Sequence, residues 1–183
     1  MKQQATALLI VDMISCWDFL DSEKLLPGAL AITPALARLK ARCVRAGVPV
    51  IYANDNLGRW RSDFRTLIDE SLACGGGAAE ITTALHPQPS DYFVLKPKHS
   101  AFFCTPMELL LAHLNVDRLV VVGVASDQCV MTTVAEARMR DFDVVVPEDC
   151  VASQSSARNA AALRQFRESH TLKTTHSSRL RLT

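Results

Sequence analysis

Several absences narrow the chain before any motif is read. No apolar stretch approaches the roughly 20 residues needed to span a bilayer. Charge of one sign is not in excess. Twenty Lys and Arg face 19 Asp and Glu, a net charge of +1, so nothing forecasts nucleic acid as a partner. The opening residues, Met1 to Thr6, run straight into an apolar segment. They hold neither the apolar core nor the small-residue cleavage site of a signal peptide, so the expected location is cytoplasmic. A hydrophobic share of 49% with 21% charged residues is that of a soluble globular protein, and 183 residues suit one domain, 1–183.

Motifs are missing too. No G-x-G-x-x-G follows an apolar run, so a dinucleotide site has no support. The triple glycine Gly75-Gly76-Gly77 lacks a following Lys-Ser or Lys-Thr and reads as a hinge or loop, not a phosphate cradle. His86, His99, His113, His170 and His176 show no ligand spacing. The six cysteines (16, 43, 74, 104, 129 and 150) include no C-x-x-C pair. In a cytosolic chain that argues against disulfides and against a thiolate zinc site. Cys43 and Cys150 read as core fillers, whereas Cys16 and Cys104 lie near site segments and could oxidise. Ser126 has no Gly-x-Ser-x-Gly elbow around it, because residue 128 is Gln. Ser126 and Asp127 therefore read as turn and helix-capping residues.

What the chain does have is alternation. Apolar runs near 6–12, 48–54, 92–96, 118–123, 143–147 and 171–174 read as strands. Helical patterns fall near 30–46, 62–72, 106–115, 128–140 and 156–168. Such alternation predicts an α/β fold: a three-layer, doubly wound arrangement with a mostly parallel six-stranded sheet. Pro106 fits the first position of a helix, Gly47 fits a helix end, and Pro27-Gly28 offers a turn ahead of the first helix.

In an open parallel sheet, ligands bind beyond the carboxyl ends of the strands. The run Ala7–Val11 ends at Asp12, and Tyr92–Leu95 ends at Lys96. Leu119–Val122 stops at Gly123, a tight turn follows, and Cys129 opens a helical segment. A helix N-terminus carries partial positive charge and unpaired N–H groups, which favour a thiolate. Three strands would thus deliver a base, a cation and a nucleophile to one edge. Trp17, Asp18 and Phe19 follow the first strand. Asn54, Asp55 and Asn56 end the second, with Trp60 beyond. Trp17, Asn54 and Trp60 are the expected substrate-binding residues, aromatic walls with a polar group.

These segments resemble the isochorismatase-like cysteine hydrolases, a family that includes nicotinamidases, N-carbamoylsarcosine amidase and ureidoacrylate amidohydrolases. The resemblance covers nearly the whole chain. It rests on Leu9-Ile-Val-Asp12-Met13, Gly47-Val-Pro-Val-Ile-Tyr52, Val94-Leu-Lys96-Pro-Lys-His-Ser-Ala-Phe-Phe103 and Gly123-Val-Ala-Ser-Asp-Gln-Cys129-Val130. It implies a triad of Asp12, Lys96 and Cys129. It also implies a cis peptide at Val124-Ala125 and an oxyanion hole made by the backbone N–H groups of Ala125 and Cys129. Lys96 would lower the cysteine pKa.

The departures bear on substrate. Ser15-Cys16-Trp17 stands where family members commonly show Asn-Asp-Phe. Asp55-Asn56-Leu57 stands where nicotinamidases carry Asp-x-His, and no histidine precedes His86. The reading is therefore a hydrolase without metal or cofactor, cleaving a small amide or carbamoyl/ureido C–N bond through a thioester. The alternatives are vinyl ether hydrolysis of the isochorismatase type and a catalytically idle small-molecule-binding homologue. The resemblance further implies a homo-oligomer, with helical faces near 106–115 and 128–140 available for assembly.

Overall fold

The computed structural model describes residues 5–56 and 63–182. Its sheet is parallel throughout. The strands are β1 (Thr6–Val11), β2 (Val50–Asp55), β3 (Tyr92–Lys96), β4 (Arg118–Val124), β5 (Asp143–Val145) and β6 (Val151–Ala152). Their order is β3-β2-β1-β4-β5, with β6 pairing the end of β4. The helices are α1 (Ser22–Arg45), α2 (Phe64–Ala73), α3 (Gly76–Ala84), α4 (Met107–His113), α5 (Cys129–Met139) and α6 (Ser156–Glu168).

Successive residues of a strand point to opposite faces of the sheet, so both faces of a parallel sheet become apolar. Leu8, Ile10, Tyr52, Val120 and Val122 pack on one side with Leu25, Ala29, Ile32, Leu36 and Leu39 of α1. Ala7, Leu9, Val11, Ile51 and Val121 pack on the other with Val130, Val134 and Ala137 of α5 and Phe166 of α6. This is the predicted three-layer arrangement. The chain reverses its direction of winding between β1 and β4, which is where such sheets open a crevice.

Four expectations are corrected. The sixth strand is not 171–174, whose backbone makes a single bridge from Lys173 to Val145. It is Val151–Ala152, too short to show a periodic pattern. Helix α1 begins at Ser22 and runs through Pro27 and Pro34. Its buried stripe, Leu25, Ala29, Ile32, Leu36, Leu39 and Cys43, is continuous at helical spacing, and packing overrides the local cost of proline. The triple glycine opens α3 rather than forming a loop. A Cβ on Gly77 would stand 3.1 Å from Leu30 and 3.2 Å from Leu26, so its bare backbone lets α3 lie close on α1.

The fourth concerns cysteine. Cys16 and Cys74 form a disulfide. It ties the segment after β1 to the end of α2, across 58 residues of chain. Closing a loop of that length stabilises a fold by up to about 4 kcal/mol in the chain-entropy picture. Thermal melts with and without reductant should therefore differ by several degrees, and Cys74→Ser should melt with the reduced protein. Superimposable melts would show that the cross-link contributes nothing. Cys43 and Cys150 are free and fully buried, and burial pushes each thiol up to about 12.

Candidate active site

The site is assembled at the carboxyl ends of four strands. Asp12 follows β1 directly. Its backbone lies in the left-handed region, φ 52°, which non-glycine residues rarely adopt and which clusters at functional sites. One carboxylate oxygen of Asp12 accepts the backbone N–H of Asp55 at 2.7 Å. The other lies 2.8 Å from the Lys96 Nζ. Lys96 ends β3, two strands away, and its side chain, 0% exposed, reaches across the end of β2. The same ammonium stands 3.7 Å from Asp55, 3.3 Å from the Lys98 carbonyl and 3.6 Å from the Cys129 sulfur. Cys129 is the first residue of α5. The three expected side chains therefore converge.

Burial works against the Lys96 charge, but Asp12, then the Cys129 sulfur and Asp55, outweigh it and hold its pKa above the usual lysine value. Lys96 pulls the Cys129 thiol down, as expected, but the net push is upward. Burial and the negative charge of Asp12 raise its thiol far above the usual range, and Lys96 does not reverse this. Sequence patterning sees the helix N-terminus and the lysine, but it cannot weigh burial against them.

Asp12, Asp55 and Cys129 line a cavity of about 230 Å³ together with Ile14, Ser15, Phe19, Asn54, His99 and Ala125, and Lys96 lies buried behind them. Asn54 is 1% exposed. Its Nδ2 donates to the Ile14 carbonyl at 2.7 Å, and its Oδ1 has no partner among the described residues. Val124-Ala125 is a cis peptide, at the position expected. Ala125 and Cys129 both face the cavity, where their backbone N–H groups were expected.

The other sequence-based assignments divide. Trp17 is buried in the core against Phe19 at 5.9 Å and does not line the cavity, whereas Phe19 does. Trp60 lies outside the described residues. Ser126 and Asp127 do not cap α5. Gln128 is the capping residue, and it makes no side-chain cap. Asp127 instead accepts from Ser153 and from Arg158, the latter at 2.6 Å. His99 was missed as a site residue: its Nδ1 stands 3.4 Å from the Cys129 sulfur. Its only signal was its place three residues after Lys96. Among the described residues no group of three His, Cys, Asp or Glu side chains is placed to hold a metal ion. Among the described residues no helix is long and apolar enough to cross a membrane.

A parallel sheet whose strand ends gather a carboxylate, an ammonium and a thiol around a small cavity has the architecture of a small-molecule enzyme. The isochorismatase domain model matches residues 6–177. The chain is 37% identical over 163 residues to YaaI of Bacillus subtilis (strain 168), an uncharacterized isochorismatase family protein, covering 89% of each. It is 30% identical over 171 residues to the ureidoacrylate amidohydrolase RutB of Pantoea ananatis, covering 80% of this chain and 68% of that one. The nicotinamidase of Staphylococcus aureus shares the fold, with a TM-score of 0.72, 23% identity and coverage of 94% and 98%. The chain belongs to the isochorismatase family and is a hydrolase of that family.

Proposed function

We propose that this chain is a cysteine-dependent hydrolase that opens a small amide or carbamoyl/ureido C–N bond through a thioester. The observation that carries this reading is the contact chain from Asp12 to Lys96 at 2.8 Å and on to the Cys129 sulfur at 3.6 Å. In the first step the sulfur attacks the substrate carbonyl carbon as its proton passes to Asp12. The C–N bond breaks, and the leaving amine or ammonia takes that proton. Water then attacks the thioester and gives a proton to Asp12, which returns it to the departing sulfur. The acid product leaves.

Lys96 keeps its charge throughout and steadies whichever partner is anionic. The amides of Ala125 and Cys129 serve the developing oxyanion, usually the largest catalytic contribution. Asn54, pinned through its Nδ2 to the Ile14 carbonyl, adds a fixed polar side chain to the cavity wall.

Location in the cytoplasm and assembly as a homo-oligomer, with 1–183 as one hydrolase unit, belong to the same proposal. A reducing compartment would open the Cys16–Cys74 cross-link, so its state in protein taken directly from cells bears on location. The function is tested by ammonia release from a panel of amides and ureides. With the best substrate, Asp12→Asn should lower kcat/KM by about a hundredfold to ten-thousandfold, the usual share of a general acid–base. An Asp12→Asn enzyme within a few-fold of wild type would remove Asp12 from the mechanism.

A further inference from the structure

The cysteine reading leaves a weakness at the sulfur. Lys96 is shared among Asp12 at 2.8 Å, the Lys98 carbonyl at 3.3 Å, Asp55 at 3.7 Å and the thiol at 3.6 Å. One ammonium is shared among four acceptors, and the sulfur is among the two farthest from it. The strong upward push on the Cys129 thiol agrees with that. A thiolate forming here needs a second donor.

His99 supplies a candidate. Its Nδ1, at 3.4 Å, is nearer the Cys129 sulfur than the Lys96 Nζ is. The ring lies on the accessible side of the sulfur and forms part of the cavity wall. Its loop is held at both ends. Before it, the Lys98 carbonyl accepts from Lys96. After it, the Ala101 N–H donates to the Thr133 Oγ1 at 3.0 Å. Thr133 is one helical turn beyond Cys129 on α5, so the helix that carries the nucleophile also anchors the loop that carries the imidazole. An exposed side chain on so fixed a backbone is positioned rather than loose.

We infer that His99 is a further catalytic residue, whose ring N–H donates to the Cys129 sulfur and stabilises the thiolate formed as the thiol proton moves to Asp12. The balance is simple. The S–H bond breaks, an O–H bond forms on Asp12, and the imidazole keeps its own proton while bonding to the negative sulfur. Nδ1 is the donor and Nε2 the acceptor in that tautomer. The role rests on the cysteine mechanism proposed above and adds a component to it.

The test reads the sulfur directly and needs no substrate. The probe is iodoacetamide on the full-length protein, with labelling rates resolved by cysteine through mass spectrometry. Cys104, free and exposed, serves as internal reference. Cys129 labelling is read as its rate relative to Cys104 in the same sample. His99→Ala should slow Cys129 by about tenfold, the worth of one hydrogen bond to a charged group, and leave Cys104 unchanged. His99→Asn places a side-chain N–H near the same spot and should restore Cys129 to within about threefold of wild type. Unchanged melting temperatures would confirm that both variants are folded. A His99→Ala rate equal to wild type, or an Asn variant as slow as Ala, overturns the role of His99 while leaving the cysteine mechanism standing. A Cys129 rate unmoved by Asp12→Asn counts against that mechanism and against this role with it.

Discussion

Replacing Cys129 with alanine is expected to reduce hydrolysis by about a thousandfold or more, because the sulfur is the atom that forms the thioester. Ser126, three residues before it, is fully buried, and the hydroxyl of Ser15 at the cavity wall accepts from the Trp17 N–H. Asp12 and Lys96 would keep each other at 2.8 Å without the sulfur, so the fold should survive and the melting temperature should barely move. Retained folding with lost turnover is the signature of a group acting in the reaction. Steady-state ammonia release together with a thermal melt checks both halves. A Cys129→Ala enzyme that still turns over would make the thiol a bystander, as in cleavage of an ether by the isochorismatase type of reaction.

Gly123→Ala should be the most damaging glycine-to-alanine change among the described residues. Gly123 has φ +110°, a conformation that L side chains avoid. It pairs with Val11 in the β1–β4 register, and a Cβ would sit 2.1 Å from the Val11 carbonyl oxygen and 2.9 Å from its nitrogen. Both contacts are backbone and cannot swing aside. The strands would have to part at the point where one continues into Asp12 and the other into the turn before Cys129. A loss of more than about 3 kcal/mol, or no folded protein at all, is expected. Gly47→Ala is the control. Its φ of +69° is also positive, but nothing lies within 4 Å of the added carbon, so only the backbone cost of roughly 1–2 kcal/mol applies. Urea unfolding of the two variants separates steric clash from backbone strain. Equal, small losses would mean that the β1–β4 approach is looser than this register requires.

The layered fold and the three converging side chains were legible because both follow from periodicity. Buried parallel strands announce themselves as apolar runs, and their carboxyl ends are where polar residues interrupt. Strand β6 was not legible, since two residues carry no period. The start of α1 was misplaced because Pro27 breaks a local rule that burial of Leu25, Ala29 and Ile32 overrides. The Cys16–Cys74 bond joins positions 58 apart, and its geometry exists only once α2 has folded against the segment after β1. Trp17 was assigned to the pocket wall on type and position, but its neighbour Phe19 lines the cavity while Trp17 fills the core. The state of the Cys129 thiol depends on burial set against two opposite charges, and the contact of His99 on loop closure. Neither can be derived from spacing.

The central claim is that Cys129 carries a covalent acyl intermediate. Rapid acid quenching of the enzyme with its best amide or ureido substrate, followed by peptide mass analysis, tests it most directly. A substrate-derived acyl mass on the peptide containing Cys129, present during turnover and gone once substrate is exhausted, is the expected result. Steady turnover with that peptide unmodified at every quench time, and with full activity in Cys129→Ala, would contradict it.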